Sequence, residues 1–171
     1  MSQKLLSLTK MDAGKEADRE VADIAETTDH VLRMLAPVAR LNGITLENCT
    51  SPGATILMIE DDLYQILFNL VENAVKYGPD GGQTRLCAEL NGADIVITVA
   101  NQGPCIPPEL RERIFEPFFR ADTARSRELG GVGLGLALVR AIAEIHGGSV
   151  WVEENQAGWN RFLVRLPAVC S

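Results

Sequence analysis

Two short segments of this chain carry residue types that could hold a polyphosphate. The first, Asn69-Leu-Val-Glu-Asn73-Ala-Val-Lys76-Tyr77, sets two carboxamides and an ammonium along one stripe of a helix. The second, Gly130-Gly-Val-Gly-Leu-Gly135-Leu136, is a glycine-rich turn that runs straight into another helix. A carboxamide oxygen suits Mg²⁺, a hard cation that takes oxygen ligands, and Lys76 offers a point charge to phosphate. Bare backbone N–H groups at a helix start meet the anion from the other side. Either segment alone is a weak signal, because polar residues on an amphipathic helix usually face water and a glycine run is usually a loop. Together, in this order, they point to an ATP site.

The glycine turn belongs to neither standard phosphate motif. No Gly-Lys-Ser/Thr follows it, which excludes a Walker P-loop. Leu136 stands where the third glycine of a dinucleotide fingerprint would fall after Gly131 and Gly133, and the residues before it are charged rather than strand-like.

The elements that would position these groups follow from periodicity. Val21 to Leu41 carries apolar residues at helical spacing (Ile24, Val31, Leu32, Leu35, Val38), and Asn42-Gly43 stops it. Ile44–Leu46 and Ile56–Ile59 are short strands flanking the turn Ser51-Pro52-Gly53. Asp62-Leu-Tyr-Gln65 resembles a capping box opening a second helix, in which Leu63, Ile66, Leu70 and Ala74 form the buried stripe and Asn69, Asn73 and Lys76 its polar edge. Thr84–Leu90 and Ile95–Val99 flank Asn91-Gly92, a hairpin signal. A third helix, Leu134 to His146, ends at Gly147-Gly148. A second hairpin pairs Val150–Val152 with Phe162–Leu166 through a turn near Ala157-Gly158. The predicted fold is α+β: a two-layer sandwich with a mixed sheet and helices packed on one face.

Composition sets the outer bounds. The 171 residues suffice for one domain with a real core, and 46% hydrophobic with 23% charged residues is ordinary for a globular chain. A net charge of −7 disfavours nonspecific binding to nucleic acid or anionic membrane. No apolar run reaches the length of a membrane span, and the first residues do not read as a signal peptide. Cys49, Cys87, Cys105 and Cys170 form no CxxC pair, so free thiols of a reducing cytoplasm are expected. Residues 1–20 read as the end of a helix from a neighbouring domain followed by a linker, with the main domain at 21–171.

Four segments in order resemble the boxes of the catalytic and ATP-binding domain of sensor histidine kinases, in the superfamily shared with gyrase, Hsp90 and MutL. Asn69 to Tyr77 matches the N box. Asn101-Gln-Gly103-Pro-Cys105-Ile106-Pro-Pro-Glu109 is similar to the first glycine box. Ile114-Phe-Glu-Pro-Phe-Phe-Arg120-Ala-Asp122 matches the F box, and Gly130 to Leu136 the second glycine box. The resemblance covers about residues 21–167.

The resemblance implies the Bergerat-type form of the fold, with ATP and Mg²⁺ as ligands. By position, Asn73 would ligate Mg²⁺ and Asn69 and Lys76 would meet the phosphates. Tyr77 would pack on adenine and Asn101 would read its amino group. Gly131, Gly133 and Gly135 would present backbone amides, with Gly103, Cys105, Ile106, Phe115, Arg120, Val132, Leu134 and Leu136 completing the binding set. Pro107 to Gly130 would form the ATP lid, anchored by Phe115, Phe118 and Phe119. Arg120, Arg125 and Arg127 are candidates for phosphate contact, the last two more in keeping with a solvated lid surface. Two positions depart from the family: Asn101 stands where Asp is usual, and Cys105 where a second glycine is usual. An Asn there can flip and relax the choice of base, and a Cys is strained if its φ is positive.

Neither histidine fits the family's phosphoacceptor motif. His30 lies on the first helix and His146 in a cap. The resemblance therefore implies a protein-histidine kinase fragment that phosphorylates a separate dimerisation and histidine-phosphotransfer domain and serves a response regulator. The fragment itself is expected to be monomeric and without direct membrane contact, the cytoplasmic part of a membrane-anchored bacterial sensor. The chain is then a domain cut from a longer kinase with an added initiator Met. Two alternatives stay open. A gyrase- or Hsp90-like ATPase would need a glutamate four residues before Asn73, where Asn69 stands. A non-catalytic nucleotide-binding module would tolerate Asn101 and Cys105.

Overall fold

A computed structural model of the chain describes residues 19–120, 133–155 and 157–168. The expected N-terminal helix end and linker, Arg125, Arg127, Gly131, Val132 and Cys170 lie outside the described residues.

The order is β1 (Glu20–Asp23), α1 (Ile24–Leu41), β2 (Thr45–Asn48), β3 (Thr55–Met58), α2 (Glu60–Tyr77), β4 (Gln83–Asn91), β5 (Asp94–Gln102), two 3₁₀ turns (Pro108–Leu110 and Arg113–Phe115), α3 (Gly135–Ile145), β6 (Ser149–Asn155) and β7 (Trp159–Pro167). Five strands form a sheet in the order β2-β4-β5-β7-β6. Only the β2–β4 pair is parallel, so the sheet is mixed as predicted. β1 and β3 make a separate antiparallel pair.

One continuous core lies between sheet and helices. Ile24, Val31 and Leu35 of α1, Leu63, Ile66 and Leu70 of α2, and Leu138 and Ile142 of α3 pack on Leu86, Ile97, Val99, Val164 and Leu166. Along β4 and β5 buried positions alternate with more accessible ones, so every second side chain enters this layer and the rest face the side of the sheet that no described helix covers.

The predicted first helix starts three residues late. Val21–Asp23 belongs to β1, because Glu20 to Asp23 pairs in register with Met58 to Thr55. Asp23 then caps α1: its Oδ1 accepts from the Glu26 N–H at 3.0 Å. That Asp-x-x-Glu pattern was present in the sequence. Val38 is 43% exposed. The buried stripe runs through Ile24, Thr28, Val31, Leu35 and Ala39, leaving Val38 about 100° away from Ala39.

Asp62 does not cap α2. The helix begins at Glu60 after Ile59, and no side chain closes its N-terminus. Glu60, Asp61 and Asp62 fill the first turn instead, where carboxylates oppose the helix dipole. The Leu63, Ile66, Leu70 and Ala74 stripe is fully buried as expected. Asn69, read as part of the polar edge, is buried too, at 2% exposure. At the other end, Gly147 with φ 78° turns the chain out of α3.

Candidate nucleotide site

α2 and α3 pack side by side, and a polar contact ties their far ends. His146 Nε2 and Asp62 Oδ2 lie 2.9 Å apart, with the histidine side chain 6% exposed. Asp62 is in the first turn of α2, and His146 is the C-cap of α3. The helices therefore run antiparallel. At about 1.5 Å per residue, Asn73 on α2 and Gly135 on α3 each lie roughly 16 Å from this clamp. The start of α3 is thus level with the C-terminal half of α2. The first N–H groups of α3 have no partners within the helix, and a buried leucine, Leu134, precedes them without a side-chain cap.

On that half of α2, Asn73 and Tyr77 are half-buried. Lys76 Nζ lies 4.0 Å from Glu72 Oε1 across one helical turn. Asn69 Nδ2 donates to the Gln65 carbonyl at 2.7 Å, and Asn69 Oδ1 is buried without a hydrogen-bond partner.

β5 ends where α2 ends. A methyl group placed on Gly103 would lie 3.7 Å from the Tyr77 carbonyl and 3.5 Å from Asn101 Nδ2. These are ordinary contact distances, so a side chain could fit there, and they bring the first glycine box against the N box. Asn101 is 5% exposed. Its Nδ2 donates to the Gln102 carbonyl at 3.3 Å, and its Oδ1 is buried without a partner. Opposite it in the β5–β7 register is Asn160, also 5% exposed, whose Nδ2 donates to the Pro104 carbonyl at 2.7 Å. Sequence reasoning missed Asn160. A carboxamide at an inward position of a strand was the available signal.

The segment expected to form the lid is described up to Arg120. Arg111 Nε donates to the carbonyl of the half-buried Ile106 at 3.2 Å. Phe115 is buried and meets Phe162 edge-on at 6.4 Å, so it anchors the lid in the core. Phe119 lies under the Arg113 guanidinium at 4.9 Å. Phe118 is 58% exposed with φ 66°, unlike the expected buried trio. Its N–H donates to Gly133 O at 3.0 Å, joining the F box to the second glycine box. Gly133 has φ 74°, and a Cβ there would come within 2.6 Å of the Phe119 carbonyl. Both demands exclude other residues. Leu136 is half-buried on the first turn of α3. Cys105 is exposed and does not have a positive φ, so the anticipated strain is absent.

These residues suit a purine and a metal-bound polyphosphate. The orphaned Asn101 Oδ1 can accept from an exocyclic amino group, as the orphaned Asn69 Oδ1 can from a donor on its side. Among the described residues no group of three or more His, Cys, Asp or Glu could hold a metal. A cation here would rest on one carboxamide oxygen, substrate phosphates and water, an arrangement Mg²⁺ accepts. A separate hollow of about 340 Å³ is lined by Asp29, Leu32, Arg33, Ala36, Ala39, Arg40, Ile44 and Leu46, and shares no residue with this site.

Fold and site together define an ATP-binding domain whose glycine turn opens a helix beside the N box. The chain belongs to the family of histidine kinase-, DNA gyrase B- and HSP90-like ATPases, whose match spans residues 58–169. Within it, the chain is a catalytic and ATP-binding domain of the sensor histidine kinase kind. It is 36% identical over 169 residues to histidine protein kinase DivJ of Caulobacter vibrioides, covering 96% of this chain and 28% of DivJ. The chain thus spans little more than a quarter of that relative. The catalytic domain of histidine kinase ThkA is similar at 26% identity and a TM-score of 0.77, covering 90% of this chain and 99% of that one. Another ThkA structure is a complex with the response regulator protein TrrA. Full-length ShkA in complex with AMPPNP matches at 31% identity and a TM-score of 0.84, covering 99% of this chain and 35% of that one.

Proposed function

We propose that this domain binds Mg-ATP and transfers its γ-phosphoryl group to a histidine on a separate dimerisation domain of the same kinase, for onward passage to a response regulator. The observation that carries the reading is the Asp62–His146 clamp, which sets the N–H groups of the first turn of α3 level with Asn73 and Lys76. In this reading Asn101 holds adenine through its unpartnered oxygen, and Tyr77 packs beside the base. Asn73 ligates Mg²⁺, while Lys76 and the glycine-turn amides meet the phosphates. Asn69, expected beside them, is buried with its Nδ2 held by Gln65 and keeps only an acceptor oxygen, which suits no phosphate. Mg²⁺, when bound, neutralises charge on the phosphates. The chain's own contribution is to position the nucleotide and offset its charge. The parent protein is a membrane-anchored sensor, with this domain in the cytoplasm. No helix among the described residues is long and apolar enough to cross a membrane.

The hydrolase alternative is disfavoured by the residues at hand. Asn69 occupies the position of a water-activating glutamate and cannot act as a base at neutral pH. Glu72, the nearest carboxylate in sequence, faces Lys76. The test is incubation with γ-labelled ATP, with and without the parent's dimerisation domain. The chain alone should bind Mg-ATP and acquire no stable label, and the added domain should become labelled on histidine. Asn73→Ala should remove transfer while leaving the circular dichroism spectrum unchanged. Stable label on His30 or His146, or full transfer by Asn73→Ala, would refute the assignment.

A further inference from the structure

The face of the sheet that no described helix covers carries two thiols that no part of the nucleotide site uses. β2 and β4 pair in parallel register from Thr45↔Gln83 to Asn48↔Leu86. The Cys49 N–H continues the ladder by donating to the Leu86 carbonyl at 2.7 Å. One residue further along, Cys49 and Cys87 are neighbours. Adjacent strands lie about 4.7–4.9 Å apart, within the Cα separation that a disulfide spans. Both point away from the core, two positions along from the outward Glu47–Arg85 ion pair at 3.0 Å. Cys49 is exposed, Cys87 is half-buried, and both are free thiols.

We propose that Cys49 and Cys87 are a redox modification site, a vicinal dithiol that a low-molecular-weight disulfide closes to an intramolecular disulfide and a small thiol reopens. Exposed Cys49 reacts first. Its thiolate attacks one sulfur of the small disulfide, the S–S bond of that molecule breaks, and one small thiolate leaves and takes a proton. Cys87 then gives its proton to solvent and attacks the Cys49 sulfur, expelling the second small thiol. Two protein thiols are oxidised by two electrons, and one small disulfide is reduced to two thiols.

The order of attack follows from the surroundings of Cys87. Burial, a hydrogen bond to the Cys49 side chain, the Cys49 charge, and the carboxylates of Glu89 and Glu47 push its thiol up to about 11. Cys87 therefore keeps its proton at neutral pH and serves as the resolving thiol. A bond exposed on the sheet face is open to reducing thiols, so the step is reversible. The closed loop would run from residue 49 to 87 and enclose α2, with Asn69, Asn73 and Lys76. Oxidation would thereby staple the sheet edge around the helix that carries the phosphate-binding side chains.

The test uses the whole chain and oxidised glutathione, followed by non-reducing digestion and mass spectrometry. The expected product joins the Cys49 and Cys87 peptides with the loss of two hydrogens. It should raise the melting temperature by about 5 °C, reversed by dithiothreitol. Cys87→Ala should halt at glutathione attached to Cys49. If wild-type protein keeps a lasting mixed disulfide at Cys49 beside a free Cys87, the proposal fails. It fails equally if both thiols stay reduced while exposed Cys105 is modified. Peptide mapping of the wild type decides even where the variant does not fold.

Discussion

At the scale of single residues, the structure changes the meaning of Asn101. A carboxamide on a free pivot could offer oxygen to adenine or its NH₂ to the carbonyl of guanine. Here the NH₂ is anchored on the Gln102 carbonyl and the oxygen is left unpartnered. Flipping would set two oxygens against each other at 3.3 Å. The wild-type chain should therefore prefer ATP over GTP without the charge of an aspartate. Asn101→Ala should weaken ATP about tenfold, the worth of one hydrogen bond from a buried group. Calorimetry with both nucleotides measures this. Equal affinity of the wild type for ATP and GTP would mean that the amide turns over. Lys76 illustrates a second residue-scale point. Glu72 lies within reach of its ammonium, so a phosphate must compete with a carboxylate that is only partly exposed.

At the scale of elements, the decisive contact is between helix ends. Asp62 and His146 sit on α2 and α3, 84 residues apart in sequence, and both side chains are largely withdrawn from water. Removing one leaves the other short of a partner in a poorly solvated place, at a cost of about 1.5–3 kcal/mol for a hydrogen bond to a charged group. Asp62→Ala should lower the melting temperature by about 5 °C, read by calorimetry or dye fluorescence. It should also weaken ATP, because the start of α3 is no longer held level with Asn73. A variant that loses stability and keeps full ATP affinity would show that sheet packing alone aligns the helices. The segment proposed as a lid follows the same logic at its root. Phe115 is fixed in the core, while the Phe118–Gly133 hydrogen bond ties the lid to the glycine turn.

For the molecule as a whole, the helix layer and the sheet meet in one core, and the proposed site lies where α2, β5 and the start of α3 approach one another. Ligand held by three elements should stabilise all of them. Mg-ATP at a hundred times its dissociation constant contributes about 2.7 kcal/mol, which for a chain of this size raises the melting temperature by about 5–10 °C. Thermal scans with Mg-ATP, and again after EDTA, check this. An unchanged midpoint at saturating Mg-ATP would contradict binding at this junction.

Local pattern was enough to reveal the three helices, both hairpins and the four boxes, because each is written within a few residues as a 3.6 or 2.0 period, a turn glycine or a short motif. The buried Leu63, Ile66, Leu70 and Ala74 stripe and the Asn42 stop of α1 were legible for that reason. Periodicity alone could not tell that Asn69 lies inside the core layer, since one helical position separates an edge from a buried face. It could not pair β1 with β3, which displaced the start of α1, or separate the first turn of α2 from its cap. Nor could it bring Asp62 to His146, Asn160 to the strand position opposite Asn101, or Cys49 beside Cys87. Those contacts join residues far apart in the chain, and only the closure of the sheet and the packing of helices upon it fix which side chains meet.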